Sequence, residues 1–307
     1  MSYRAEMPTV LLLLLVYFVF LALPLAATLL PLWGVIIGLA LIIALYSSLQ
    51  HEVLHGHPLA NQKLNYALVF PAFSFFIPYL RFKDTHLAHH HDANLTDPYD
   101  DPETNYLDPE IWMKWPRWLQ SIARINNTLL GRMTIGPVIS LSAFYLDDLK
   151  LILRGNTRVI WSYFTHVLGV VPVLYWVWAG TDLPLWAYFA AAYGGMAILK
   201  IRTFLEHQAH DRVAARSVII EDRGLLALLF LNNNYHAVHH RHPSVVWHKL
   251  PQVFERRRAH FLRCNGGYAY ASYRDVFARY LFAMKDPVPH PNWGASKETL
   301  PRERAIE

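Results

Sequence analysis

Four stretches of this chain run without a charged residue for about the length of a membrane-crossing helix: residues 9–30, 31–49, 159–179 and 183–199. Roughly 20 apolar residues in an α-helix span the hydrocarbon of a bilayer. The expected spans are therefore about 9–30, 31–49, 159–179 and 183–201, paired as hairpins that turn at Pro31 and around Thr181–Pro184. They also explain why only 17% of residues are charged, where a soluble domain carries about a quarter. A cleaved secretory signal is the competing reading of the first stretch, since Arg4 precedes it and Ala26–Ala27 close it. Cleavage would leave an odd number of spans and split the polar segments between two sides, so four spans are preferred.

Lys and Arg set the orientation, because they favour the cytoplasmic side. Lys63, Arg81, Lys83, Lys114, Arg117, Arg124, Arg132, Lys150, Arg154 and Arg158 lie between spans two and three, and the region after span four is also basic. The turns at 30–31 and 180–184 hold neither residue. Both termini, a segment at 50–157 and another at 202–290 are thus expected on the cytoplasmic side, with a polar tail at 291–307. Residues 1–290 read as a single membrane domain. Within it, 67–80 is apolar but too short to cross and suits a re-entrant or in-plane helix, while Trp112, Trp115 and Trp118 form a basic aromatic stripe suited to the membrane interface. The net charge of +5 needs no nucleic acid, and Arg256-Arg257-Arg258 suits anionic lipid, an acidic partner or plain solvent.

Histidines cluster in the two polar segments. His51 and His55 are four apart; His86, His89 and His90 form H-x-x-H-H, and His236, His239 and His240 repeat it. On a helix these spacings put side chains on one face, and neutral imidazole binds iron, zinc and copper. Eight imidazoles exceed the four ligands of a structural zinc site and fit two metals. The lone Cys264 rules out a Cys-rich site or an internal disulfide.

Three other chemistries compete. His51-Glu52-Val53-Leu54-His55 is a literal H-E-x-x-H, the zinc-protease signature, but that reading leaves both H-x-x-H-H boxes unexplained. A carboxylate di-iron bundle site needs two Glu-x-x-His pairs, and only Glu52/His55 supplies one. A metal transporter or store should carry ionisable groups near mid-membrane, where only His166 falls, a residue better read as packing.

The three boxes, placed as they are around four spans, resemble the integral-membrane fatty acid desaturase and hydroxylase superfamily, in particular its bacterial fatty acid desaturase branch. The likeness lies in QHEVLHGHP, HLAHHHDANLTDPYDDPE, RTFLEH and NNNYHAVHHRHPSVVWHKLP, and runs from about residue 45 to 255. It implies an all-α integral membrane protein of the bacterial inner membrane, four helices under a cytoplasmic helical cap that holds two non-haem irons. The ligands it implies are His51, His55, His86, His89, His90, His236, His239 and His240, with one more from the RTFLEH element: His207, or alternatively His210. A register of His86, His90 and His91 in box two stays open; His57, His91 and His242 otherwise read as flanking residues. Metal-bound imidazoles need partners for their second nitrogen, and Asp92, Asp97, Asp101, Glu206, Asn232, Asn233 and Asn234 are near enough in sequence. Asp97 and Asp101 are equally good turn formers, and Asn234, two residues before His236, is favoured.

The implied reaction uses O2 to remove hydrogen from an unactivated C–H bond of an acyl chain. Desaturase and hydroxylase outcomes differ by small shifts of substrate, and a carotenoid hydroxylase or ketolase is the nearest rival. The sequence holds no haem fusion, Cys-based cluster or convincing dinucleotide loop. Electrons are therefore expected from a separate ferredoxin, rubredoxin or cytochrome-type donor with its reductase. Membrane lipid is the other expected partner. Chain length, position of attack and oligomeric state are not legible.

Overall fold

The computed structural model describes residues 6–293, so most of the expected 291–307 tail lies outside the described residues. It is mostly helical. The first half holds α1 (Met7–Leu25), α2 (Leu32–Leu54), α3 (Gln62–Leu68), α4 (Tyr79–His89), α5 (Pro109–Lys114), α6 (Arg117–Asn126), α7 (Leu129–Thr134) and α8 (Gly136–Leu153). The second half holds α9 (Thr157–Gly180), α10 (Leu185–Thr203), α11 (Leu225–Leu229), α12 (His236–Arg241), α13 (Leu250–Arg256), α14 (Arg258–Cys264) and α15 (Tyr273–Tyr280). A two-residue parallel ladder, β1 (Ile219–Ile220) on β2 (Ala269–Tyr270), departs from the all-α expectation.

Three helices among the described residues, α1, α2 and α9, are long and apolar enough to cross a membrane. Their outer faces stay uncovered: Leu11, Leu14, Phe18 and Trp33 on the first pair, and Trp161, Phe164, Val171 and Trp178 on α9. A contiguous apolar surface of this kind marks contact with a membrane or partner. The fourth expected span does form a helix, α10, but Lys200, Arg202 and several small residues lower its hydropathy. Those small residues let it lie against α2. A Cβ on Gly195 would come within 2.8 Å of Ile43 Cγ2, and one on Gly194 within 3.0 Å of Ala40 Cβ. Close approach through small residues is how membrane helices commonly pack.

The segment at 67–80 is not a helix. α3 ends at Leu68 and α4 starts at Tyr79, leaving an irregular stretch whose Val69, Ala72, Phe73 and Ser74 are buried. Buried irregular backbone must find partners within the protein. The hydroxyls of Tyr17, Tyr46 and Tyr188 donate to the carbonyls of Leu68, Pro71 and Phe73 at 2.8, 2.6 and 2.9 Å. His166 Nε2 donates to Phe75 O at 2.7 Å, which is the packing role expected of it. Ala72 N–H reaches Gly169 O at 3.2 Å, and a Cβ on Gly169 would sit 2.4 Å from Phe70 O.

Two ion pairs then fix α4 against its neighbours. Arg81 forks onto buried Asp148 of α8, with Nε and Nη2 at 2.9 and 2.7 Å, and Tyr163 of α9 donates to the same carboxylate at 3.0 Å. Asp84 accepts from Arg158 Nε at 2.8 Å. Breaking a buried pair on one side costs about 3–5 kcal/mol, so Arg81–Asp148 is a main determinant of where α4 points.

Candidate metal centre

α2 does not stop where its apolar run ends. It continues to Leu54, carrying His51 past the uncharged run, and His55 closes it. Gly56 follows at φ +103°, in the left-handed region where glycine is unstrained. α4 brings His86 and His89 with His90 as its C-cap, and α12 brings His236, His239 and His240. His207 comes from the extended stretch after α10, bridged to Ser217.

The nine histidines form two groups. His51, His55, His86, His90 and His239 make one; His89, His207, His236 and His240 make the other, each with its ligand atoms within 4.8 Å of one another. The sequence suggested that each H-x-x-H-H box acts together. Instead each box is shared. Residues i and i+4 lie about 40° apart around a helix, whereas i+3 falls about 60° to the other side of i. So α4 gives His86 and His90 to the first group and His89 to the second, while α12 gives His236 and His240 to the second and His239 to the first.

The Nε2 atoms converge. In the four-histidine group His207 Nε2 is 2.9 Å from His89 Nε2 and 3.0 Å from His236 Nε2, which is 3.1 Å from His240 Nε2. In the five-histidine group His90 Nε2 is 3.0 Å from His86 Nε2 and 3.2 Å from His239 Nε2. His51 and His55 pack their rings 4.7 and 4.6 Å from His239, and the Nε2 atoms of both are buried without a protein partner.

The opposite ring nitrogens are anchored. His89 Nδ1 meets Asp101 Oδ1 at 2.7 Å, His86 Nδ1 meets Glu103 Oε1 at 2.9 Å, and His236 Nδ1 meets Asn233 Oδ1 at 3.2 Å. Ser217 Oγ lies 3.2 Å from His207 Nδ1. A carboxylate or amide oxygen only accepts, so Nδ1 carries the proton and Nε2 presents its lone pair. Bare lone pairs about 3 Å apart repel unless a proton or cation sits among them. Two nitrogens bound at right angles to one ion at about 2.1 Å would be about 3 Å apart. The donor set therefore fits a pair of metal ions.

Charge agrees with that reading. Burial, with the neighbouring histidines, holds His207, His236 and His239 well below the usual imidazole range and His55 down at about 2, all neutral and ready to ligate. His89 is the exception: burial pushes it down, but Glu103 and Asp101 outweigh that and raise it to about 9. Glu103 is itself held low, because His89 and His86 overcome the effect of burial.

Not every expected partner lands on a histidine. Asp101 does, and it also accepts from the backbone N–H groups of Thr96 and Glu103. Asp97 caps a turn, taking the N–H groups of Tyr99 and Asp100. Glu206 pairs with Arg202 at 2.9 Å and accepts from Asn233 at 3.3 Å, so it orients His236 through that amide, 3.7 Å from Nδ1. Asn234 instead donates to Ile220 O and Asp222 O, securing β1. Asn233, one of the three candidate asparagines, serves His236, whereas Glu103 and Ser217 lie outside the expected partners. Glu103 stood two residues beyond Asp101 in the same turn-rich stretch, the one signal that could have found it. His91 is exposed and belongs to neither group, and His210 Nδ1 accepts from Arg212 N–H. Glu52 accepts from Trp247 N–H at 3.2 Å, and neither histidine group contains a carboxylate.

This arrangement of boxes agrees with comparison to known families. The fatty acid desaturase family model matches residues 26–273, and the chain belongs to that family. No curated protein matches it. Family, apolar helices and histidine groups together make it a membrane protein with a centre able to hold metal.

Proposed function

We propose that the chain is an O2-dependent di-iron oxidoreductase that removes hydrogen from unactivated C–H bonds of a lipid acyl chain, most simply as a desaturase. The observation that carries this is the pair of adjoining, largely buried, all-histidine groups at the C-terminal end of α2. His51, His55, His86, His90 and His239 would hold one iron, and His89, His207, His236 and His240 the other. In this reading α10 is the fourth span, the residues after α2 and α10 form a cytoplasmic cap, and both termini lie on the side of the cap in a bacterial inner membrane.

Two irons held there would supply O2 activation. The protein supplies the rest. Asp101, Glu103 and Asn233 keep protons on the outer ring nitrogens, so the inner ones stay available. Burial of His51, His86, His89, His236 and His239 to about 2% exposure or less excludes water from the centre, which limits wasteful side reactions. α2 connects the bilayer directly to His51, so a chain lying along it presents its methylenes to the five-histidine group. For desaturation two C–H bonds break and one C=C bond forms. O2 accepts four electrons, two from the substrate and two from a separate ferredoxin, rubredoxin or cytochrome-type donor, and with two solvent protons leaves as two waters.

Protein purified in mild detergent from iron-replete cells tests this. About two irons per chain, and an acyl product two mass units lighter, are expected. One zinc, with no iron taken up on reconstitution, would overturn it; a product sixteen units heavier would shift the assignment to hydroxylation.

A further inference from the structure

We propose that the exposed face made by the end of α12, the α13–α14 junction and α14 is the docking site of an acidic one-electron redox protein. This rests on the oxygenase reading and adds where its electrons enter.

Charge is the first argument. Arg241, Arg256, Arg257 and Arg263 are all exposed here, and none makes an ion pair among the described residues. The two acids on this face are already engaged. Glu221 is bound by Arg258 at 2.6 Å, and Glu255 is paired with Arg223. The cations form one surface. The ring of His242, next to Arg241, packs 6.3 Å from Phe261 of α14, two residues before Arg263, and this contact joins the end of α12 to α14. Four uncompensated guanidiniums would draw an acidic partner and speed its encounter.

Position is the second argument. Arg241 follows His240 directly, and the N–H of His242 bonds back to the carbonyls of Val238 and His239 at 2.9 and 3.1 Å. α12 supplies ligand candidates to both groups, so a donor seated here is one short helix from both. α4 also serves both groups, but the stretch that follows it carries Asp97, Asp100, Asp108 and Glu110. That side would repel an acidic donor. Of the two helices that touch both groups, charge selects α12.

The test is stopped-flow reduction of the iron-loaded, full-length protein in nanodiscs, using an acidic [2Fe–2S] ferredoxin, an acidic rubredoxin and an acidic cytochrome b5 as probes. The Arg257→Glu/Arg263→Glu variant should be reduced by the productive probe about 10- to 100-fold more slowly at low salt, and added salt should narrow that gap. Turnover with dithionite and a viologen mediator should match wild type, which separates docking from folding. The proposal is overturned by unchanged kinetics with the productive probe, by loss of dithionite-driven turnover in the variant, or by dithionite but no acidic probe reducing the wild type. It is also overturned if the variant loses only its binding to phosphatidylglycerol vesicles, which would make the face a lipid contact. Wild-type protein that holds iron yet oxidises no substrate even with dithionite would instead sink the oxygenase reading itself.

Discussion

The two histidine groups are held in place by different means. In the four-histidine group, local hydrogen bonds aim the rings: Asp101 on His89, Asn233 on His236 and Ser217 beside His207. The five-histidine group draws every member from three helices, α2, α4 and α12, has a single such anchor in Glu103 on His86, and leaves the Nε2 atoms of His51 and His55 without partners. Its geometry is set by helix packing: α10 against α2, and Arg81–Asp148 across α4 and α8. One group is tuned mainly by local contacts, the other mainly by helix packing. Long-range disturbance should therefore damage the five-histidine group first, and point changes near box two the four-histidine group first.

The largest effect is expected from removing a ligand candidate. His239→Ala and His240→Ala should each abolish turnover and lower metal content from about two ions to about one. Spectroscopy of the remaining ion should differ between the variants, since each empties a different group; identical spectra would refute the division. Next comes Asp148→Ala, which strands Arg81 and should cost about 3–5 kcal/mol, read as thermal stability in detergent. If the five-histidine group depends on packing, its ion should be the first lost to a chelator.

Asp101→Ala should weaken metal binding in the four-histidine group about 10- to 100-fold while sparing the other. Asp97→Ala is the matched control, because its carboxylate only caps a turn; metal titration should show no change. Equal losses in the two would mean that anchoring of His89 does not matter. The smallest effect is expected from Glu52→Gln, which can still accept from Trp247 N–H. Turnover should stay within a few-fold of wild type in a product assay, whereas a zinc protease would lose its general base.

Much of the centre was legible because its signals are periodic. Histidines at i, i+3 and i+4 announce themselves on any helix, and all nine expected residues meet. Among the three candidate asparagines the sequence favours Asn234, but Asn233 is the one that meets His236. Both precede the box, and only the bend entering α12, with Asn232 at φ +55°, decides which amide faces His236. The re-entrant segment misled for a related reason. Apolar composition placed 67–80 at membrane depth, but its carbonyls are satisfied by tyrosines on other helices, which no local pattern records.

The sequence by itself determined the helical membrane character, the order of the boxes and the identity of the histidines, because hydropathy and helical spacing act over a few turns of one chain. Tertiary structure decided how those histidines divide. Only the crossing of α4, α12 and the end of α2 brings i and i+4 of one helix beside i+3 of another, and only the folded loops around them set Asp101, Glu103 and Asn233 behind them. Those contacts join residues distant along the chain, where local periodicity carries no information.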